Sequence, residues 1–221
     1  MKLSDNTIEV LKNFSTINPS LAFRAGNVLR TVSPQKNILA ASVVEETFPV
    51  NFAIYELNQF LGLNSLFENG DIVFDEKSLS ITEGNSTCRY TYTDPSMITA
   101  VPDKNLDLPS RDASFSMSAA AYKRVVNAAN QLSLPEVAVR GDGGVITLTA
   151  SDSKNPTANE FSQEVGACSE DIKFNFIFKA DNLKFIADDY FVEISAKGIS
   201  HFKGSKIQYW VATEAGSTYN A

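Results

Sequence analysis

The sequence predicts an α+β protein built from two similar domains. Three observations support this: each half of the 221 residues contains a long amphipathic helix, each half then changes to the two-residue period of strands, and the elements follow the same order in both halves. With two helices and roughly seven or eight strands per half, we expect the helices to pack on antiparallel sheets. The stretch at about residues 99–112 contains Pro102 and Pro109 among polar residues, so we interpret it as a linker between domains of residues 1–108 and 109–221.

The first half begins with a predicted helix over residues 4–17. Ser4 is a suitable N-cap, Ile8, Leu11 and Phe14 recur on one face, and Pro19 ends the segment. Turn-forming residues then separate the strands, and a short helix contains Leu57 and Leu61. The predicted strands are residues 21–23, 28–32, 38–44, 48–53, 72–74, 78–81 and 87–93.

The second half repeats this order. A helix is predicted over residues 118–132, and a hairpin follows whose turn is residues 141–144. A second short helix is predicted around Leu183 and Ile186. The predicted strands are residues 137–140, 145–149, 161–165, 173–178, 192–195, 198–202 and 207–213.

Composition and single motifs argue against several classes of protein. Two cysteines and one histidine are too few for a disulfide scaffold, a zinc module or a histidine relay. No apolar run approaches the ~20 residues of a membrane helix, and the first residues do not resemble a signal peptide. His201 has no partner nearby in sequence, and Asp188 with Asp189 fits an acidic turn. We therefore predict a non-enzyme with no catalytic residue, metal or cofactor and no membrane contact.

The net charge of −7 is distributed unevenly. The four predicted helical segments, residues 1–17, 54–64, 116–132 and 178–187, hold six basic and four acidic residues, which leaves −9 for the rest of the chain. An acidic protein grips nucleic acid poorly, because that affinity comes mostly from cations on phosphates. Two interpretations stay open at this point: ordinary solvated helix faces, or one shared helical face that meets a polyanion lightly.

Several segments resemble the sliding clamp of T-even-type bacteriophages, the processivity factor of their DNA polymerase. They are residues 1–4 (MKLS), 11–14 (LKNF), 53–61 (AIYELNQFL), 174–176 (FNF) and 209–218 (YWVATEAGST). The resemblance covers the whole chain, in order and spacing.

The resemblance implies a two-domain clamp subunit that assembles head to tail as a homotrimer, with helices lining a hole around double-stranded DNA. It implies DNA polymerase, an ATP-dependent clamp loader and late-transcription factors as partners, in the cytoplasm of the infected bacterial host. A weakly positive lining on an acidic body would retain DNA by enclosure, since phosphate contacts carry no sequence information and strong ones would impede sliding.

The resemblance also implies three sets of site residues. The DNA-facing residues would be Lys2, Lys12, Lys123, Arg124, Lys179 and Lys184. The pocket for partner peptides would use Leu39, Val44, Val101, Leu106, Leu108, Trp210 and Val211. The subunit interface would pair two edge strands through Thr87, Arg89, Tyr90, Tyr92, Phe161, Gln163 and Val165.

Two other classes compete with the clamp. A ring-forming tail or capsid protein is also β-rich, acidic and oligomeric, but the internal duplication and the charge distribution favour the clamp. A β-rich enzyme would need an assembled site, and the sequence offers no nucleophile–base pair.

Overall fold

The computed structural model describes residues 1–99, 101–103 and 106–220. The chain forms two compact units, unit 1 (Met1–Asp103) and unit 2 (Lys104–Ala221). Residues 100, 104 and 105 of the predicted linker lie outside the described residues. No helix in the described part of the chain is long and apolar enough to cross a membrane.

Within residues 1–99 and 101–103, unit 1 has two α-helices and seven strands. Its helices are α1 (Asp5–Ile17) and α2 (Leu57–Asn64), and a 3₁₀ turn spans Pro95–Met97. Its strands are β1 (Leu21–Phe23), β2 (Gly26–Val32), β3 (Ile38–Phe48), β4 (Phe52–Ile54), β5 (Asp71–Phe74), β6 (Ser78–Glu83) and β7 (Ser86–Thr91). All pairings are antiparallel: β1 with β4, β2 with β3, and β5–β6–β7 in that order.

Helix α1 is fixed at its N-terminus by two polar contacts. The Ser4 hydroxyl accepts a 3.2 Å hydrogen bond from the Thr7 amide, which confirms the predicted N-cap. The carboxylate of Glu46 on β3 accepts short hydrogen bonds from the Ser4 amide and the Thr7 hydroxyl. Burial opposes ionisation of Glu46, but these hydrogen bonds lower its pKa. A carboxylate at a helix N-terminus also suits the helix dipole, so Glu46 ties α1 to β3.

An aromatic cluster forms part of the core of unit 1. Phe23 of β1 stacks on Phe52 of β4 with ring centroids 4.3 Å apart. Phe48, Phe74 and Tyr92 pack against this pair with ring centroids 4.9–6.0 Å from it. Each buried phenylalanine contributes roughly 1.5–3 kcal/mol, so this cluster is a major source of stability for unit 1.

Unit 2 has one α-helix and nine strands among its described residues. The helix is α3 (Ala119–Gln131), and a 3₁₀ turn spans Ala180–Asn182. The strands are β8 (Ala113–Met117), β9 (Glu136–Asp142), β10 (Val145–Ser151), β11 (Phe161–Ala167), β12 (Lys173–Lys179), β13 (Tyr190–Ser195), β14 (Ile199–Lys203), β15 (Ile207–Ala212) and β16 (Thr218–Asn220). Five of them form a sheet in the order β11-β10-β9-β12-β16. The other four pair in the order β8-β13-β14-β15.

The start of unit 2 repeats the start of unit 1. Helix α3 has 13 residues, as α1 does, and its N-cap Ser118 accepts a 3.2 Å hydrogen bond from the Ala121 amide. The predicted hairpin is confirmed, with Asp142 paired to Val145 across Gly143 and Gly144. Both glycines have positive φ, +60° and +84°, which the favoured two-residue turn requires.

The second short helix predicted around Leu183 and Ile186 is wrong. In its place, β12 continues to Lys179, one 3₁₀ turn follows, and the chain is then irregular up to β13. Tyrosine hydroxyls satisfy the backbone groups that a helix would have paired internally. The Phe185 amide donates to the Tyr122 hydroxyl at 2.8 Å, and the Ile186 amide donates to the Tyr209 hydroxyl at 3.0 Å. This arrangement lets Leu183 and Phe185 enter the core.

Three further elements differ from the sequence prediction, and one of them is β8, which pairs with β13 although no strand was predicted there. The predicted strand over residues 48–53 is divided, with Phe48 ending β3 and Phe52 beginning β4, because Pro49 cannot donate a ladder hydrogen bond. The short strand β16 pairs with β12, although no strand was predicted after residue 213.

Candidate functional site

Helix α3 presents a basic surface. Its buried residues are Ala121, Tyr122, Val125 and Ala129, and the exposed residues include Lys123 and Arg124. The helix contains no acidic residue, and neither Lys123 nor Arg124 is in an ion pair within the described part of the chain. Both cations are therefore available to an external anion.

Helix α1 presents a mixed surface instead. Lys12 is exposed, but Asp5 and Glu9 lie on the same side of the helix, seven and three residues before it. Lys2 is exposed just before the N-cap. Helix α2 carries no charged residue, and its exposed residues include Asn58 and Gln59. The cations on the α-helices are thus concentrated in unit 2.

The remaining two predicted DNA-facing residues do not lie on an α-helix. Lys179 is the last residue of β12, and its Nζ lies 3.9 Å from a carboxylate oxygen of Glu214. Lys184 is exposed in the irregular segment after the 3₁₀ turn. The charge distribution inferred from four helices is corrected accordingly, since residues 178–187 form no α-helix.

Two edge strands carry the predicted subunit interface. Strand β7 ends the β5–β6–β7 sheet and contains Thr87, Arg89 and Tyr90, whereas Tyr92 follows it. Strand β11 ends the five-stranded sheet and contains Phe161, Gln163 and Val165. Each edge presents backbone groups that another strand can pair with.

A helix packs beside each edge strand and adds apolar surface. Tyr90 of β7 contacts Phe60 of α2 at 5.8 Å between ring centroids, and an open apolar surface joins Tyr90 to Leu63 and Leu66. Leu66 is 74% exposed. Helix α3 packs on β11, where Phe161 and Val165 are half-buried. Sequence reasoning missed Leu66, although an apolar residue just after a helix end was the available signal.

The predicted peptide-pocket residues are mostly buried. Val101 is half-buried and Leu106 is 37% exposed. The Trp210 indole donates a 2.9 Å hydrogen bond to the Leu106 carbonyl, which attaches the linker segment to β15. The other members, Leu39, Val44, Leu108, Trp210 and Val211, are each at most 8% exposed.

The polar groups considered for chemistry have structural partners. His201 stacks on Trp210 at 4.3 Å and bonds Gln208 at 3.0 Å, and burial lowers its pKa. Asp188 accepts two 2.7 Å hydrogen bonds from Ser205. No group of three or more metal-ligating side chains occurs within residues 1–99, 101–103 and 106–220.

Comparison with known proteins gives consistent matches along the chain. A family profile described as "DNA polymerase processivity factor" matches residues 3–100, and one described as "gp45 sliding clamp, C terminal" matches residues 114–215. The chain is 35% identical to the sliding clamp of Vibrio phage KVP40, over 97% of this chain and 100% of that protein. It is 28% identical to the sliding clamp of Enterobacteria phage T4 over the full length of both.

Solved structures share the fold at low sequence identity. The PCNA of Thermococcus kodakaraensis matches with a TM-score of 0.69 and 13% identity, over 96% of this chain and 98% of that one. The beta clamp of H. pylori matches with a TM-score of 0.68 and 11% identity, over 96% of this chain and 62% of that one.

Proposed function

Because this chain belongs to the sliding-clamp family of phage DNA polymerase processivity factors, we propose that it closes into a homotrimeric ring that encloses double-stranded DNA and holds the polymerase on it. The family matches favour this function over a tail or capsid protein. A processivity factor of this kind catalyses no reaction itself.

The basic surface of α3 is the observation that carries the proposal. Lys123 and Arg124 are exposed and lack acidic neighbours on the helix, in a protein whose net charge is −7. With three subunits, three such helices would face the enclosed DNA, whereas α1 and α2 would add little positive charge. Few phosphate contacts give weak affinity, so the ring would slide while enclosure prevents dissociation. Lys2, Lys12, Lys179 and Lys184 would have secondary roles.

The two edge strands supply the proposed subunit interface. Pairing β7 of one subunit with β11 of the next would continue a sheet across the boundary. The same pairing would bring α2 beside the neighbour's α3, because each helix packs next to its edge strand. Leu66 and Tyr90 would then be buried against Phe161 and Val165, while Arg89 and Glu164 would supply opposite charges.

Partner proteins would bind outside the ring. The polymerase and late-transcription factors would contact the linker segment, in which Leu106 is 37% exposed. An ATP-dependent loader would open the ring, since a closed ring cannot thread circular DNA. The site of action would be the cytoplasm of the infected bacterium.

The function can be tested by comparing topologies of DNA. The purified chain is loaded onto nicked circular DNA by its cognate loader and ATP, and the complex is then separated by gel filtration at 0.15 M salt. We expect the clamp to remain on circles, to leave when a restriction enzyme linearises them, and to remain on linear DNA whose ends are blocked by bound protein. Equal retention on open linear and circular DNA would refute enclosure. Native mass spectrometry tests the trimer, and a monomer at every micromolar concentration would refute the ring.

A further inference from the structure

Unit 1 contains an open cavity of about 660 Å³ that is separate from the helix surfaces and the edge strands described above. Its apolar lining includes the stacked pair Phe23 and Phe52 and the buried Ile98. Its charged lining residues are Arg24, Arg30 and Asp103 among the described residues. A cavity of this size and composition is typical of ligand sites, which combine apolar walls with a few polar groups.

One of the two arginines in the cavity lacks a counter-charge. Nη1 of Arg30 is buried and has no hydrogen-bond partner in the described part of the chain. Burial, followed by the positive charge of Arg24, lowers the pKa of Arg30, although a guanidinium stays protonated at neutral pH. The Arg30 side chain is half-buried overall, but this atom is cut off from water without an acceptor, which is costly, so an incoming anionic acceptor would stabilise it.

The other arginine shows which chemistry the cavity accepts. Arg24 donates a 3.3 Å hydrogen bond to the carbonyl of Val101 and forms an ion pair with the carboxylate of Asp103. The chain's own residues 101–103 therefore place a backbone carbonyl and a carboxylate on one guanidinium. Asp103 is the one acidic residue among the described residues lining the cavity, and Arg30 is left without an equivalent partner.

Apolar surface continues from the cavity onto the neighbouring strands. Val28 of β2 lines the cavity and is 40% exposed, and its cross-strand partner Val43 of β3 is 64% exposed. An occupant that places a carboxylate on Arg30 can therefore rest an apolar side chain against Val28 or the Phe23–Phe52 pair.

We propose that this cavity binds an extended acidic peptide segment of a partner protein, with a carboxylate side chain on Arg30 and an adjacent apolar side chain against the aromatic lining. Residues 101–103 act as an internal competitor, because Asp103 holds Arg24. The partner's segment would displace Asp103 and engage both arginines. The cavity shares Val101 with the predicted pocket for partner peptides, so this proposal rests on the partner binding of the proposed function. It does not depend on ring closure or on DNA, so it can fail or succeed independently of the proposed enclosure of DNA.

The probe is a fluorescein-labelled, C-terminally amidated hexapeptide, Ile-Thr-Ala-Val-Pro-Asp, which has the sequence of residues 98–103 of this chain and whose only peptide carboxylate is the aspartate side chain. Fluorescence anisotropy gives its Kd for the full chain. Because Arg24 and Asp103 form an exposed ion pair, which is weak, we expect Asp103→Asn to tighten binding about two- to fivefold by freeing Arg24. In the Asp103→Asn background, Arg30→Gln should weaken binding about tenfold or more, and Arg30→Lys should weaken it less.

Three controls define the outcome. A second probe, in which asparagine replaces the peptide's aspartate, should bind the Asp103→Asn protein about tenfold more weakly than the original probe does. Lys77→Gln removes an exposed cation of the same unit that does not line the cavity, and it should leave the Kd unchanged. Circular dichroism and thermal melts verify that each variant is folded. If Arg30→Gln does not fold, Arg30→Lys still tests the role of Arg30. The proposal is overturned if Asp103→Asn does not bind the probe, if both probes bind equally, or if millimolar inorganic phosphate competes as well as the unlabelled hexapeptide does, which would indicate a simple anion site.

Discussion

The backbone amide of Phe185 donates a 2.8 Å hydrogen bond to the hydroxyl of Tyr122, and the rings of the two residues stack with centroids 5.6 Å apart. The same hydroxyl donates a 2.6 Å hydrogen bond to the carbonyl of Leu183. Burial raises the pKa of Tyr122 to about 12, so the hydroxyl is neutral and both donates and accepts at physiological pH. One side chain of α3 thus fixes the segment that a helix was predicted to occupy.

Replacing Tyr122 with phenylalanine should destabilise unit 2. The ring stays, but the Phe185 amide and the Leu183 carbonyl each lose their partner, and unpaired buried polar groups cost about 1–3 kcal/mol each. We expect a loss of roughly 2–4 kcal/mol in the free energy of unfolding, measured by urea denaturation. Tyr219→Phe is the control, because the Tyr219 ring stacks near Phe174 and Phe176 without a role in this segment. Equal stability of Tyr122→Phe and the unchanged protein would contradict the assigned role.

Reversing the charge of α3 should impair retention on DNA. In the double variant Lys123→Glu, Arg124→Glu, each subunit presents two carboxylates where the unchanged protein has two exposed cations. We expect the half-life on nicked circular DNA at 0.15 M salt to fall at least tenfold, because the DNA-facing surface becomes repulsive. The trimer should persist by native mass spectrometry.

Lys77→Glu with Lys154→Glu is the matched control for that experiment. It makes the same change of charge in two exposed loops, and retention should stay within about twofold of the unchanged protein. Loss of the trimer in the α3 variant would instead assign Lys123 and Arg124 to the subunit interface.

A proline at position 87 should weaken the trimer. Gly84, at φ +55°, begins a two-residue turn, so Glu83 and Ser86 form the first hydrogen-bonded pair and the amide of Thr87 points to the open edge of β7. Thr87→Pro removes this amide without removing a ladder hydrogen bond to β6. We expect the trimer dissociation constant, measured by analytical ultracentrifugation, to rise about tenfold or more.

The variant Thr87→Ala tests whether the amide, rather than the side chain, is responsible. It keeps the N–H group and should change the dissociation constant less than about threefold. If proline and alanine have the same effect, β7 does not pair with a neighbour through its backbone at this position.

Glu46→Gln should destabilise unit 1 in a pH-dependent manner. The hydrogen bonds from Thr7 and Ser4 lower the pKa of Glu46 in the folded protein relative to its ordinary value of 4.5. Its stabilising effect is therefore fully present above about pH 4.5 and is lost as the pH falls through the folded-state pKa. We expect a loss of about 1 kcal/mol at pH 7, read from thermal melts, that shrinks below pH 4. Glu45→Gln changes the exposed neighbour on β3 and should show no such pH dependence.

Local sequence signals predicted the elements whose hydrogen bonds are local. The N-cap Ser4, the start of α3 at Ser118, the Gly143–Gly144 turn and the amphipathic faces of α1 and α3 depend on residues close in sequence, and all are confirmed. The segment at Leu183 has helical spacing but pairs its backbone with Tyr122 and Tyr209, which lie 61 and 23 residues from their partners. Long-range side-chain partners of this kind leave no periodic signal.

Only part of the candidate site could be predicted from the sequence. Exposed cations on α3 follow from the helical period, whereas the choice of β7 and β11 as interface strands came from the resemblance to the clamp family and stays a prediction. The cavity at Arg30 could not be predicted, because it combines β1, β2, β4 and residues within 95–99 and 101–103, whose proximity depends on strand pairing. The mixed charge of the α1 surface could be predicted from the sequence, since Asp5 and Glu9 lie at helical spacing from Lys12.

The tyrosine contacts of residues 183–186 have a consequence for hydrogen–deuterium exchange. In an isolated short helix, end residues open one by one and their amides exchange quickly. The amides of Phe185 and Ile186 are instead shielded by Tyr122 and Tyr209, whose rings belong to the packed interior. These two amides should exchange as slowly as those of central strands and through the same cooperative opening, although the backbone around them has no regular secondary structure.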